Sequence, residues 1–150
     1  MTTITVERTI EAPVADVFDW VATARNYPRS WVVLRERLAT PGTEAPYGVG
    51  AVRILLWVIG WFRERITAYD APRSFDYLVE RSFPPSRHEG GRIEFTEVPG
   101  GTHVVWTTTG IVALPIGGAF VMRVIAKPFI VFVFGRILDR AARELTQQKR

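Results

Sequence analysis

Val6-Glu7-Arg8-Thr9-Ile10-Glu11-Ala12-Pro13-Val14-Ala15-Asp16-Val17-Phe18 changes its apolar period partway along. Ahead of Ala12 the period is two. Ile4, Val6, Arg8 and Ile10 share one face of a strand, and Thr5, Glu7, Thr9 and Glu11 share the other. Beyond Ala12 the period is helical. Pro13 suits a first helical position, where its missing N–H would go unpaired anyway, and Asp16 sits near the positive end of the helix dipole. Val14, Val17, Phe18, Val21 and Ala22 make the apolar stripe. A half-buried strand therefore runs directly into a short amphipathic helix, with Arg8 as a charge among apolar neighbours.

Downstream the signals are mostly those of antiparallel strands. Asn26-Tyr27-Pro28 breaks the helix, and Trp31 precedes an apolar stretch, Val32 to Leu38, that opens a second strand. The turn-rich loop from Pro41 to Gly50 leads to a hairpin between Gly50 and Asp70. Its strands run through Ile54–Ile59, turn near Gly60 and return through Trp61–Ile66. Asp70-Ala71-Pro72-Arg73 is a turn. Phe75, Tyr77 and Val79 alternate on the next strand, which Pro84-Pro85 stops. Gly91 to Val98 and Thr102 to Ala113 pair across Pro99-Gly100-Gly101. After Pro115 and Gly117-Gly118 the pattern becomes one long helix through Phe120, Val124, Val131, Leu138, Ala142 and Leu145, which Pro128 should kink or divide. Arg140 and Glu144, four apart, are expected on solvent-facing turns.

The totals bound the answer. A chain of 150 residues, 47% hydrophobic and 23% charged, fits a single folded domain over residues 1–150. It has no cysteine, so thiolate nucleophiles, disulfides and sulfur-ligated metal sites are excluded. The charge of +4 comes almost wholly from scattered arginines, since only Lys127 and Lys149 are lysines, and this argues against a nucleic-acid partner. The first residues show neither a basic nor an apolar signal region, so the expected setting is cytoplasmic.

Taken together, Val6–Phe18, Tyr27-Pro28 with Trp31, Gly48-Val49-Gly50, Glu64–Pro72, and Gly100-Gly101-Thr102 leading to Val104 and Trp106 resemble the START/Bet v 1-like polyketide cyclase/dehydrase and lipid-transport superfamily. The resemblance spans nearly the whole chain. It implies an α+β helix-grip fold: a curved seven-stranded antiparallel sheet wrapped around a long C-terminal helix, with two short N-terminal helices and a cavity between. Members of the superfamily differ widely in what they do, so fold alone does not decide function. The stretch from Ile116 to Phe134 departs from the pattern by being more apolar than a grip helix requires.

Strand alternation points Arg8 and Glu64 inward. A buried acid and base are expected to pair with each other or to meet the polar end of a ligand. Trp31, Phe75, Tyr77, Phe95 and Trp106 fall on the same inner faces as core or cavity lining, and the Tyr77 hydroxyl is suited to orienting a ligand. His88 and His103 do not read as bases. No nucleophile elbow, phosphate loop, dinucleotide fingerprint or paired-histidine metal motif is present, so neither cofactor nor metal is expected. Gly90-Gly91 and Gly117-Gly118 read as bends or bulges.

The expected function is binding or transport of a small hydrophobic or amphipathic ligand, lipid-like or polyketide-like. The alternatives are a cofactor-free aromatase/cyclase-type enzyme and a protein-interaction module or dimer using the apolar hairpin Ile54–Phe62. Trp57 and Trp61 on that hairpin are candidates for a homodimer or peripheral membrane contact, unless they simply cover one another. Ile111 to Gly135 nearly qualifies as a membrane span. Arg123 and Lys127 near its middle would each cost about 2.5–3.5 kcal/mol, so the expectation is a core helix enclosed by the sheet.

Overall fold

A computed structural model describes residues 1–114 and 116–147; Pro115, expected to precede the terminal helix, lies outside the described residues. Strand β1 (Thr2–Ile10) enters helix α1 (Val14–Ala22) through Pro13, whose extended φ/ψ caps the helix, and a 3₁₀ helix (Ala24–Arg29) follows. Strands β2 (Val33–Thr40), β3 (Val52–Trp57), β4 (Gly60–Asp70), β5 (Ser74–Phe83), β6 (Ser86–Val98) and β7 (Gly101–Val112) complete one antiparallel sheet, ordered β1-β7-β6-β5-β4-β3-β2. Sequential hairpins place β2 to β7 in order, and β1 adds to the outer side of β7. The β6–β7 turn is two residues long, with Val98 opposite Gly101, and Gly100 supplies the left-handed φ of 83° that the turn needs.

The terminal helix runs through α2 (Gly118–Val121), a π-helical turn (Met122–Ala126) and α3 (Lys127–Gln147). Pro128 does not divide it. The wide π turn immediately upstream absorbs the missing N–H and the ring that would clash with a regular preceding turn. In its second half Val133, Ile137, Leu138 and Ala141 are buried against the sheet.

Two features of this helix correct the expectation from sequence. Its first half is not enclosed: Phe120, Val124 and Phe132 are about half exposed, and the most apolar window of Gly118–Thr146, mean hydropathy 1.8, is only 28% buried. At its far end Glu144 does not face solvent. It accepts hydrogen bonds from Trp20 Nε1 of α1, Arg29 of the 3₁₀ helix and Arg140 Nε, tying three helical segments together. Burial raises its pKa and these donors lower it; the donors win, so the carboxylate is held below its ordinary range.

The core fills the concave side of the sheet in two aromatic groups. Under α1, Phe18 meets Phe75 and Phe95 edge-on, and those two rings stack on each other at 6.2 Å. Farther along, Trp57, Trp106 and Phe134 pack together, with Phe134 stacked on Trp106 at 4.0 Å.

Candidate ligand cavity

Beyond Phe134 the sheet and the first half of the helix separate around a cavity of about 460 Å³. Trp57, Ile59 and Phe62 of the β3–β4 hairpin form one wall, and Val79 and Ile111 form another. Met122, Ala126 and Ile130 of the helix make the roof. The volume is that of a small-molecule site. Val58, Ile125 and Phe129 line it and are also 45%, 51% and 58% exposed, so they mark the mouth, together with the exposed Arg87.

Four polar side chains gather at its closed end: Glu64, Tyr77, His88 and Thr108. Glu64 is held by Arg53, its direct cross-strand partner. The Arg53 Nε and Nη2 atoms donate to Oε1 at 3.0 and 2.9 Å, and the two side chains are 1% and 7% exposed. Burial disfavours both charges. For Arg53 the attraction of Glu64 outweighs it and the guanidinium stays cationic; for Glu64 burial outweighs the pull of Arg53 and holds the carboxyl above its ordinary range. A buried guanidinium that cannot release its proton requires a counter-charge, and Glu64 is therefore ionised. The guanidinium carbon also lies 5.5–5.8 Å from the ring centres of Tyr27, Phe75 and Tyr77.

The other polar groups are ordered by hydrogen bonds to the sheet. Trp106 Nε1 donates to the Tyr77 hydroxyl at 2.9 Å. Burial, with the Glu64 charge adding to it, pushes the Tyr77 pKa up and keeps the phenol neutral. The backbone N–H of Val79 donates to His88 Nδ1 at 3.0 Å, which fixes the neutral tautomer, and Nε2–H then donates to Thr108 Oγ1 at 2.6 Å. Burial lowers the His88 pKa to about 4. The imidazole stacks on Tyr77 with ring centres 5.5 Å apart. Tyr77 in turn covers Gly91 on the next strand, where an added Cβ would lie 2.2 Å from the ring.

Of the side chains expected at a cavity, Glu64 and Tyr77 line it. Trp106 stands behind Tyr77 as its donor, while Phe75 and Phe95 fill the core under α1. Trp31 lies outside, 58% exposed beside Phe132. Arg8 does not meet Glu64. It sits on the edge strand β1, where its Nε reaches Asp139 of α3 at 2.9 Å, and the partner of Glu64 is Arg53. The hairpin expectation is also corrected. Trp57 is 4% exposed and faces the core, and the register places Trp61 on the opposite face beside Leu56, so the two tryptophans neither cover one another nor share a surface.

Sequence reasoning missed Arg53, His88 and Thr108. Arg53 lies opposite Glu64 once the hairpin turns at Val58-Ile59, and His88 is turned inward by a bulge between His88 and Gly90.

The fold recurs in solved structures. A crystal structure of a protein from Thermus thermophilus matches with TM-score 0.79 and 16% identity, covering 99% of this chain and 100% of that one. A START superfamily protein from Mycobacterium smegmatis matches with TM-score 0.75 and 12% identity over 95% and 98% of the two chains. The structure of Ara h 8.0201 matches with TM-score 0.66 and 15% identity over 93% and 97%. No curated protein matches the sequence. The model of the polyketide cyclase/dehydrase and lipid transport family matches residues 1–148, and the chain belongs to that family.

Proposed function

We propose that this protein binds a small, mainly apolar molecule in the cavity under the helix, as a carrier or sequestering protein, and holds one neutral polar group of that molecule at the Glu64 end. The observation that carries the reading is an apolar chamber of about 460 Å³ whose closed end holds an ion pair and three neutral hydrogen-bonding side chains. Glu64 Oε1 takes both bonds from Arg53, and Oε2 has no hydrogen-bond partner among the described residues, so the end offers a fixed acceptor to a ligand hydroxyl.

The same bonds favour binding over acid–base catalysis. Both nitrogens of His88 are engaged and the Tyr77 phenol is held neutral, which leaves the Glu64 carboxylate as the candidate base at the chamber among the described residues, and its ion pair with Arg53 weakens it as a proton acceptor. The test is a fluorescence titration with the neutral apolar probe N-phenyl-1-naphthylamine. Parent protein should bind it, and Val79→Trp, which fills the wall, should weaken binding at least roughly tenfold while the protein stays folded. Equal binding by the two proteins, or none by the parent, overturns the reading.

A further inference from the structure

The first half of the terminal helix presents an apolar surface that neither the core nor the cavity uses. Phe120, Val124 and Phe132 are 57%, 50% and 49% exposed, and none of the three lines the cavity. Trp31, 58% exposed, extends the patch with its ring centre 5.9 Å from that of Phe132. The patch reaches the cavity mouth through Ile125 and Phe129. A water-facing helix surface ordinarily carries mixed charges, and an apolar patch of this kind marks a contact surface. The charges here have one sign. Between Val98 and Leu138 the sequence contains no aspartate or glutamate, and Arg123 and Lys127 lie within the apolar stretch.

We infer that this helix face docks in the plane of an anionic lipid bilayer. Apolar side chains flanked by cations suit the interface of such a membrane, where acyl chains receive the rings and anionic headgroups receive Arg123 and Lys127. A second copy of the chain is a poorer occupant, because the same helix face of a partner copy would bring no acidic side chain to Arg123 and Lys127, there being none between Val98 and Leu138. Spanning is disfavoured on two counts: both cations would enter the hydrocarbon, and the second half of the same helix is gripped by the sheet through Val133, Ile137, Leu138 and Ala141. Docking itself does not depend on what the cavity holds. It would also bring the mouth at Ile125 and Phe129 against the acyl layer, and that consequence alone rests on the proposed ligand reading.

The experiment is flotation of the full chain with phosphatidylcholine vesicles, with and without phosphatidylglycerol, read alongside tryptophan emission. The parent should float with the anionic vesicles, shift its emission to the blue and be released by high salt. Val124→Asp combined with Phe132→Asp should abolish flotation while circular dichroism shows the protein still folded, since both side chains are half exposed and outside the buried core. Arg123→Gln and Lys127→Gln should each weaken it roughly fivefold. Absence of parent flotation overturns the inference, as does binding to both vesicle types without dependence on charge. A dimer that Val124→Asp dissolves, in a protein that ignores vesicles, assigns the face to a second copy and also overturns it. The vesicles contain no probe, so failure here leaves the N-phenyl-1-naphthylamine titration standing, and failure there leaves flotation standing.

Discussion

Arg53 and Glu64 face each other directly across the β3–β4 hairpin, and both bonds between them end on one oxygen, Glu64 Oε1. Removal of one partner leaves the other as an uncompensated buried charge, which costs about 3–5 kcal/mol, whereas replacing both with apolar side chains of similar volume costs little. Arg53→Met and Glu64→Met should therefore each lower the urea midpoint sharply, and the double variant should recover most of the loss. A double variant as unstable as the sum of the singles would show that the pair is not the unit of stability.

The same relationship sets a preference among ligands. An ionised Glu64 repels a second carboxylate and accepts from a hydroxyl, so oleyl alcohol should displace N-phenyl-1-naphthylamine from the parent far more effectively than oleate does. Glu64→Gln leaves the Arg53 cation without its counter-charge, and in that variant the order should reverse in favour of oleate. Competition curves with the two displacers, on protein confirmed folded by circular dichroism, decide it. An unchanged order in the variant would mean that the polar group of the ligand does not sit beside Glu64.

His88 gives the fold a pH dependence of known sign. Its folded pKa of about 4 is depressed by burial from the ordinary value of 6.5, so the unfolded chain takes up the proton first as pH falls. This contribution to stability is complete above about pH 6.5 and is lost as pH falls toward about 4. After discounting for partial exposure it amounts to roughly 2 kcal/mol. Melting temperatures of the parent and of His88→Gln across that window should converge toward the acid end. Parallel curves would remove His88 as the origin of the slope.

Much of the architecture is legible in the chain because it is written in periods. The change from two-residue to helical spacing at Pro13 places β1 and α1, and the Pro99-Gly100 turn places the last hairpin. The cavity end depends on details one residue wide. Placing the first turn near Gly60 rather than at Val58-Ile59 hides the fact that Arg53 is opposite Glu64. His88 would face outward on an unbroken β6, because Gly91, Ile93 and Phe95 point inward; the bulge before Gly90, with its φ of 144°, reverses that. The exposed helix face was hidden for another reason. Hydropathy measures how apolar a helix is and carries no information about which side the sheet covers.

The last relationship joins the grip helix to the edge of the sheet. The Arg8 guanidinium crosses α3 at Gly135, where an added Cβ would lie 2.6 Å from Nη2, and pairs with Asp139 one helical turn on. Its side chain is 41% exposed and that of Asp139 is 48% exposed, so the pair contributes at most about 1 kcal/mol. Alanine in place of a mid-helix glycine gains about 1 kcal/mol, and the atom it displaces is the free end of a flexible arginine. Gly135→Ala should therefore leave stability within about 1 kcal/mol of the parent while uncoupling Arg8 from Asp139. A double-mutant cycle with Arg8→Met and Asp139→Asn should show a small coupling in the parent and none in the Gly135→Ala background. A large loss of stability from Gly135→Ala alone would mean that the helix approaches β1 too closely for Arg8 to yield.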